Sequence, residues 1–118
     1  MLTFIDRPES KTVELIVNGK VLKDDYIKTA EHLQEKIGEW GRINILEHIQ
    51  NYDGFEISAF WKNMKFAAEH LKDIAKCAVV ADEAWIRGVT DAADPVVPIE
   101  VKAFPREQLP LAREWVRQ

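Results

Sequence analysis

Apolar residues in the first part of the chain are grouped into two short runs that predict strands. Residues 2–5 form the first run, which ends before Pro8, and residues 12–17 form the second, which ends at the turn dipeptide Asn18-Gly19. Because the two runs are separated by a short connection, we expect them to pair as a hairpin at one edge of a sheet.

Two further runs predict strands in the interior of a sheet. Residues 42–49 and 76–81 place apolar side chains at adjacent positions, such as Ile45 and Leu46, so both faces of each strand are expected to be covered. Residues 99–103 instead alternate apolar and charged side chains, which predicts a strand with one wet face near the other edge. A turn, Asn51-Tyr52-Asp53-Gly54, is expected after the central strand.

Helical spacing predicts the first and last helices. Asp24 is expected to cap the first helix and Gly38 to stop it. Its buried face is predicted to consist of Tyr26, Ala30, Leu33 and Ile37. The last helix spans residues 106–116, where Pro110 is tolerated near the start. Its buried face is predicted to consist of Leu109, Ala112, Trp115 and Val116.

Two more helices are predicted between the strands. The first spans residues 58–71, and the second is expected to follow Asp82 as its cap, over residues 84–89. The order of elements then predicts an α/β domain with a mostly parallel sheet of about five strands, four helices on its faces and the N-terminal strand pair at an edge. At 118 residues, the chain is expected to form a single domain over residues 1–118.

Composition excludes several classes of function. The formal charge of −4 gives no general attraction to nucleic acid, and no Walker loop, G-x-G-x-x-G or G-x-S-x-G motif occurs. Since the three histidines lie on separate predicted elements, neither a metal site nor a cofactor is expected. The single cysteine, Cys77, is expected to be a buried thiol, and with no apolar stretch long enough to span a membrane the chain is expected to be cytoplasmic.

Several residue strings resemble those of one family. The strings are Val21-Leu22-Lys23-Asp24-Asp25-Tyr26, Tyr52-Asp53-Gly54-Phe55, Phe60-Trp61, Lys65-Phe66 and Ala78-Val79-Val80-Ala81-Asp82 followed by Trp85. Together they resemble the SpoIIAA-like family of small bacterial proteins over nearly the whole chain. The resemblance implies a fold close to the STAS domain of anti-sigma-factor antagonists and to the Sec14-type lipid-carrier domain. It implies no catalysis, and a role in binding small apolar molecules or associating with membranes.

The chain departs from that pattern in two places. STAS antagonists are switched by phosphorylation of a serine at the start of the helix after the central strand. The comparable hydroxyl here, and the candidate for a phospho-switch, is Ser58, which lies four residues beyond Gly54 rather than next to the turn. Near the end of the central strand, where an acidic residue is expected, the chain has Glu47-His48.

An aromatic and aliphatic set predicts a ligand site. In open α/β sheets, ligands settle outside the carboxyl ends of strands, and apolar walls with few charges suit an apolar ligand. The predicted lining residues are Tyr52, Phe55, Phe60, Trp61, Met64, Trp85 and Ile86. The alternative is that they close the top of a small core, and Phe60 and Met64 also fit the inner stripe of their helix.

The same helix carries a basic, aromatic surface. Phe66 falls opposite the inner stripe, near Lys62 and Lys65. Lysine stems cover apolar area while their ammonium groups meet phosphates, so this surface predicts peripheral contact with the inner membrane.

The sequence is consistent with two other functions. In one, the helix docks a protein partner or a second copy of the chain, as a regulatory module related to anti-sigma-factor antagonists. In the other, Glu47 and His48 at the rim of a pocket support weak proton transfer, which is the only route to an enzyme that the sequence offers.

Overall fold

A sheet forms the centre of the part of the molecule that the structure describes. The computed structural model describes residues 2–55, 69–84, 86–88 and 99–118, apart from the side chains of residues 51–55 and 71. Within these ranges, five strands lie in the order β1-β2-β3-β4-β5. Their bounds are Leu2–Arg7 (β1), Thr12–Val21 (β2), Ile43–Phe55 (β3), Ile74–Val80 (β4) and Glu100–Phe104 (β5). β1 runs antiparallel to β2 and every other pair is parallel, which confirms the predicted class and the N-terminal pair at the edge.

Two helices cover opposite faces of this sheet. They are α1, Lys23–Trp40, and α2, Leu109–Arg117. Short 3-10 turns lie at Pro8–Ser10, Leu71–Asp73 and Arg106–Gln108, and further helical residues are found at 69–70, 84 and 86–88. Most of the helix predicted over residues 58–71 lies outside the described residues.

Of the predicted inner faces, Tyr26 and Leu33 on α1 and Ala112 and Val116 on α2 are buried, and the other predicted residues are half-buried. Thr29 on α1 is also buried, although it is not among the predicted residues. Under α1, the core consists of Val13, Leu15, Tyr26, Leu33, Ile43, Ile45 and Ile74, with Ala30 and Ile37 packed against it. Under α2, it consists of Leu46, Ala78, Val80, Phe104, Ala112 and Val116, with Leu109 and Trp115 packed against it. We call the two sides of the sheet the α1 face and the α2 face.

Both long strands continue past the turns predicted for them. β2 runs through Asn18-Gly19 to Val21, and β3 runs through the expected turn at residues 51–54 to Phe55. The two turn-like segments pair with each other, Asn18 opposite Asn51 and Gly19 opposite Tyr52, and register shifts on either side absorb the irregularity. Backbone pairing between strands outweighs the local turn preference here, so the predicted strand ends at residues 17 and 49 are wrong.

The ends of α1 also differ from the prediction. The helix continues through Gly38 to Trp40 and ends at Gly41, whose φ of 81° is one that residues with a Cβ rarely adopt. At the other end the N-cap is Leu22, and the Asp25 carboxylate accepts a hydrogen bond from the Leu22 backbone N–H at 3.0 Å. Asp24 is therefore not the cap.

Asp82 has a different partner from the one expected. Its Oδ1 accepts a hydrogen bond from the Arg106 backbone N–H at 3.0 Å, and its Oδ2 accepts one from Arg106 Nε at 2.9 Å. The carboxylate thus binds the first residue of the 3-10 turn Arg106–Gln108, which precedes α2. The backbone carbonyl of Glu83 accepts the first helical bonds of the segment after β4, from Ile86 and Arg87.

Candidate functional site

The carboxyl ends of three parallel strands meet in an apolar cluster on the α1 face. Its buried members are Val17, Ile49, Val79, Ala81 and Ile86. The strand residues come from β2, β3 and β4 or directly follow them, whereas Ile86 lies in the helical segment after β4. We call this group the apical cluster. Ligands favour this end of an open α/β sheet, so the apical cluster is the candidate site.

Of the predicted lining residues, Ile86 is the one whose side chain the structure describes. It is buried within the apical cluster. Tyr52 and Phe55 belong to β3, but their side chains lie outside the description, as does Trp85. The helix residues Phe60, Trp61 and Met64, the surface residues Lys62, Lys65 and Phe66, and Ser58 all lie outside the described residues.

Glu47 lies in the middle of the α1 face. Side chains two apart on a strand share a face, so Glu47 lies on the same side of β3 as Ile45 and Ile49. Its lateral neighbours are also apolar: Leu15 on β2 and Val79 on β4. The carboxyl group therefore interrupts an otherwise aliphatic surface, between the core under α1 and the apical cluster.

Burial dominates the electrostatics of this carboxyl group. Loss of hydration raises the pKa of Glu47 above its usual value. Among the described residues, none donates a hydrogen bond to the Glu47 carboxyl group or forms an ion pair with it. The residue is nevertheless only half-buried, whereas Ile45 and Ile49 on the same strand are buried. Surface therefore stays accessible on the α1 face at the level of Glu47.

Cys77 lies next to this position on β4. It packs against both the core under α1 and the apical cluster, and it is half-buried rather than fully buried as expected. Burial, and secondarily the charge of Glu47, raise the pKa of the Cys77 thiol. The thiol therefore stays protonated and behaves as a small apolar group, as its apolar sequence context predicts.

Glu47 and His48 do not share a site. They are adjacent on β3, so their side chains project from opposite faces of the sheet. Burial lowers the pKa of His48, helped by the charges of Arg113 on α2 and of Arg106. Glu47 and His48 therefore cannot act together on one substrate, and the proton-transfer route that the sequence offered has no geometric support.

On the α2 face, a buried carboxylate binds two arginines. Glu14 of β2 has a side chain that is 2% exposed and lies within reach of Arg7 and Arg113. Arg113 donates from Nε to Oε2 and from Nη2 to Oε1, each at 3.2 Å, and Arg7 Nε also donates to Oε2. Each charge has a partner, so we interpret this group as a structural connection rather than a ligand site.

The described residues offer little for a metal ion or a membrane span. In these parts of the chain no group of three or more His, Cys, Asp or Glu side chains is arranged to hold a metal. None of the helices described there is long and apolar enough to cross a membrane.

Comparison with known proteins agrees with this architecture. The SpoIIAA-like family profile matches residues 12–117. The chain belongs to the SpoIIAA-like family. No curated protein matches its sequence.

A solved SpoIIAA-like structure shares the fold over nearly the whole length. It is the crystal structure of an uncharacterized protein of the DUF3478 family with a SpoIIAA-like fold, from Shewanella loihica PV-4. The TM-score is 0.81 at 21% sequence identity, covering 98% of this chain and 92% of the other. At that identity the comparison establishes the fold, and the function has to be argued from the residues of this chain.

Proposed function

We propose that this SpoIIAA-like protein is a non-catalytic domain that binds a small apolar molecule or lipid on the α1 face, beside the apical cluster. The observation that supports the proposal is the accessible surface at Glu47 and Cys77, which is bordered by buried aliphatic side chains at the carboxyl ends of the strands. We further propose that the protein works in the cytoplasm, at the inner membrane surface, where such ligands are found.

The chemistry of the border favours an apolar ligand. Ligand sites are lined mainly by apolar side chains with a few polar groups that fix orientation. Here the border consists of Leu15, Val79, Ile45 and Ile49, and a single carboxyl group interrupts it. Removing apolar surface from water contributes about 25 cal/mol per Å², so an alkyl chain gains from this surface while a sugar or nucleotide would leave polar groups without partners.

Two alanines on β4 and directly after it provide a matched test. Ala81 belongs to the apical cluster and Ala78 to the core under α2, and both are fully buried. Native mass spectrometry of the purified protein, followed by solvent extraction, detects a bound apolar molecule. Ala81→Val adds bulk beside the proposed site and is expected to reduce ligand occupancy, whereas Ala78→Val overpacks the other face and leaves occupancy unchanged.

The ligand proposal fails in either of two cases. One is that the protein, exposed to a lipid extract, carries no apolar molecule. The other is that Ala81→Val and Ala78→Val lower occupancy equally although both variants melt as folded proteins, since the effect would then be one of general destabilisation.

Membrane contact is tested separately by co-sedimentation with anionic liposomes. The sequence assigns that contact to Phe66 with Lys62 and Lys65, so Phe66→Asp is expected to abolish sedimentation. Leu111, which is 57% exposed on α2, provides the control, and Leu111→Asp is expected to leave sedimentation unchanged. Equal sedimentation of both variants would contradict the assignment.

A further inference from the structure

Glu47 is unusual because its carboxyl group lies among aliphatic side chains on the α1 face. Along β3 it lies between two buried isoleucines, and across the sheet it lies between Leu15 and Val79. A carboxyl group to which none of the described residues donates a hydrogen bond is costly to keep in such surroundings, and a leucine would fit the pattern of its neighbours. By comparison, Glu14 on the opposite face has two arginines as partners.

We propose that Glu47 is the polar anchor of the ligand site: its carboxylic acid donates a hydrogen bond to a carbonyl or hydroxyl oxygen in the head group of an uncharged, otherwise apolar ligand. This inference rests on the proposed function, because it assumes an apolar molecule beside the apical cluster. It adds the chemical class of that molecule and the atom that orients it.

The surroundings select an uncharged head group. Burial favours the neutral acid, as the raised pKa of Glu47 reflects, and a neutral acid offers an O–H donor. A ligand carboxylate would place a second acid beside the first and oppose its ionisation. A ligand cation would require both charges to lose hydration on an aliphatic face, where the described residues provide no further hydrogen bonds to them.

Other ionisable side chains lie on the elements packed against this face. Among the described residues they include Cys77 on β4, Tyr26 on the inner side of α1, the group formed by His32 and Lys36 of α1 with Asp6 of β1, and Glu83 and Arg87 beside Ile86. These groups are retained when Glu47 is replaced, so a pH dependence that disappears with Glu47→Gln belongs to Glu47.

Three probes of equal chain length test the chemical class of the ligand head group. They are 2-decanone, decanoate and decylammonium. Their affinities for the full chain are measured by titration calorimetry at the acidic end and at the alkaline end of the pH range over which the protein stays folded. We expect 2-decanone to bind most tightly and to lose about tenfold in affinity as the pH rises and Glu47 ionises, which is the loss of about one hydrogen bond.

Two substitutions separate the hydrogen bond from the charge. Glu47→Gln keeps a donor without a titrating group, so 2-decanone is expected to bind at both pH values with equal affinity. Glu47→Leu removes the donor and is expected to weaken 2-decanone about tenfold at acidic pH. Glu107→Gln, at an exposed position far along the chain, is expected to leave the pH dependence of the wild type unchanged. Thermal melts confirm that each variant is folded.

The outcomes distinguish this inference from the proposed function. If the three probes bind with equal affinity and Glu47→Leu has no effect, the anchor is disproved while apolar binding stands. Tighter binding of decylammonium at alkaline pH would also overturn it, because Glu47 would then act as an anion. If none of the probes binds to any variant, both the anchor and the apolar-ligand function are rejected.

Discussion

Arg113 on α2 and Glu14 on β2 form a two-point hydrogen bond between parts of the chain that are 99 residues apart. Nε and Nη2 of the guanidinium group each lie 3.2 Å from a different oxygen of the carboxylate. The fork geometry of arginine matches a carboxylate at two points, so the contact fixes both the position and the orientation of the helix. It joins the last helix to β2, two strands away from β4 in the sheet.

Glu14→Gln is expected to lower the free energy of unfolding by about 2 kcal/mol, because Arg7 and Arg113 lose the carboxylate that they share beside the sheet. Breaking a buried ion pair costs roughly 3–5 kcal/mol, and the two arginines are partly solvated, which reduces that cost. Urea denaturation gives the value, and the exposed Glu107→Gln is expected to change it by less than about 0.5 kcal/mol. Equal stability of the two variants would refute the structural role of Glu14.

The free energy of unfolding is expected to fall in acid because Glu14 becomes protonated. Desolvation tends to raise the pKa of Glu14, but the hydrogen bonds from Arg7 and Arg113 outweigh it and the pKa is lowered. A lowered pKa in the folded state means that the stabilisation is present above the unfolded pKa and is lost as the pH falls through the folded pKa. Denaturation midpoints measured from neutral pH downward are expected to fall more steeply for the wild type than for Glu14→Gln; parallel curves would contradict this prediction.

Glu47 is expected to affect the pH dependence of stability in the direction opposite to Glu14. Its pKa is raised by burial, so its contribution to stability is fully present below the unfolded value and is lost as the pH rises through the folded pKa. Glu47→Gln removes this loss, so the variant is expected to be more stable than the wild type in alkaline solution and similar to it in acid. Thermal melts across pH test the sign, and a variant that is less stable at alkaline pH would disprove it.

Two glycines at the end of α1 should respond oppositely to the same change. Gly38 lies inside the helix and Gly41 ends it with a φ of 81°, and a Cβ built at either position meets nothing within 4 Å. Gly38→Ala is expected to stabilise the protein by roughly 0.5–1 kcal/mol, since alanine favours the helix. Gly41→Ala is expected to destabilise it by about 1 kcal/mol or more because of backbone strain. Melting temperatures that shift in the same direction for both variants would contradict a helix that includes Gly38 and ends at Gly41.

Asn44 is expected to be a further point of attachment for the last helix. Its Nδ2 donates to the Ser10 carbonyl at 3.1 Å and to the Val116 carbonyl at 3.0 Å. Asn44→Ala removes both hydrogen bonds and leaves the Ser10 and Val116 carbonyls with fewer partners, at an expected cost of about 2 kcal/mol. Hydrogen exchange is expected to rise in α2 before it rises in α1, and unchanged exchange in α2 would argue against this attachment.

Local patterns predicted most of the architecture. The stripe of Tyr26 and Leu33 on α1, and that of Ala112 and Val116 on α2, are buried as their spacing indicates, because helical periodicity depends on neighbouring residues alone. Predictions failed at the ends of elements. Asn18-Gly19 favours a turn locally, but its pairing with Asn51 and Tyr52 keeps it in a strand.

The candidate site was predictable only in part. Strand order indicates that a site lies at the carboxyl ends, and Ile86 is found buried there. The face of the sheet on which Glu47 lies, and the residues around it, could be known only from the assembled sheet. In sequence it stands beside His48 and resembles half of an acid-base pair, whereas the pleat of β3 directs the two side chains to opposite faces.

The sequence by itself determined the class of fold, the order of the strands along the chain and the inner faces of the two helices. Each of these follows from the spacing of apolar residues within one element. Only the tertiary structure decided that Glu14 has two arginines as partners whereas Glu47 faces aliphatic neighbours, although both are glutamates on interior strands. The reason is that the hydration and partners of a carboxyl group depend on residues far away in sequence, which become its neighbours only when the sheet is assembled.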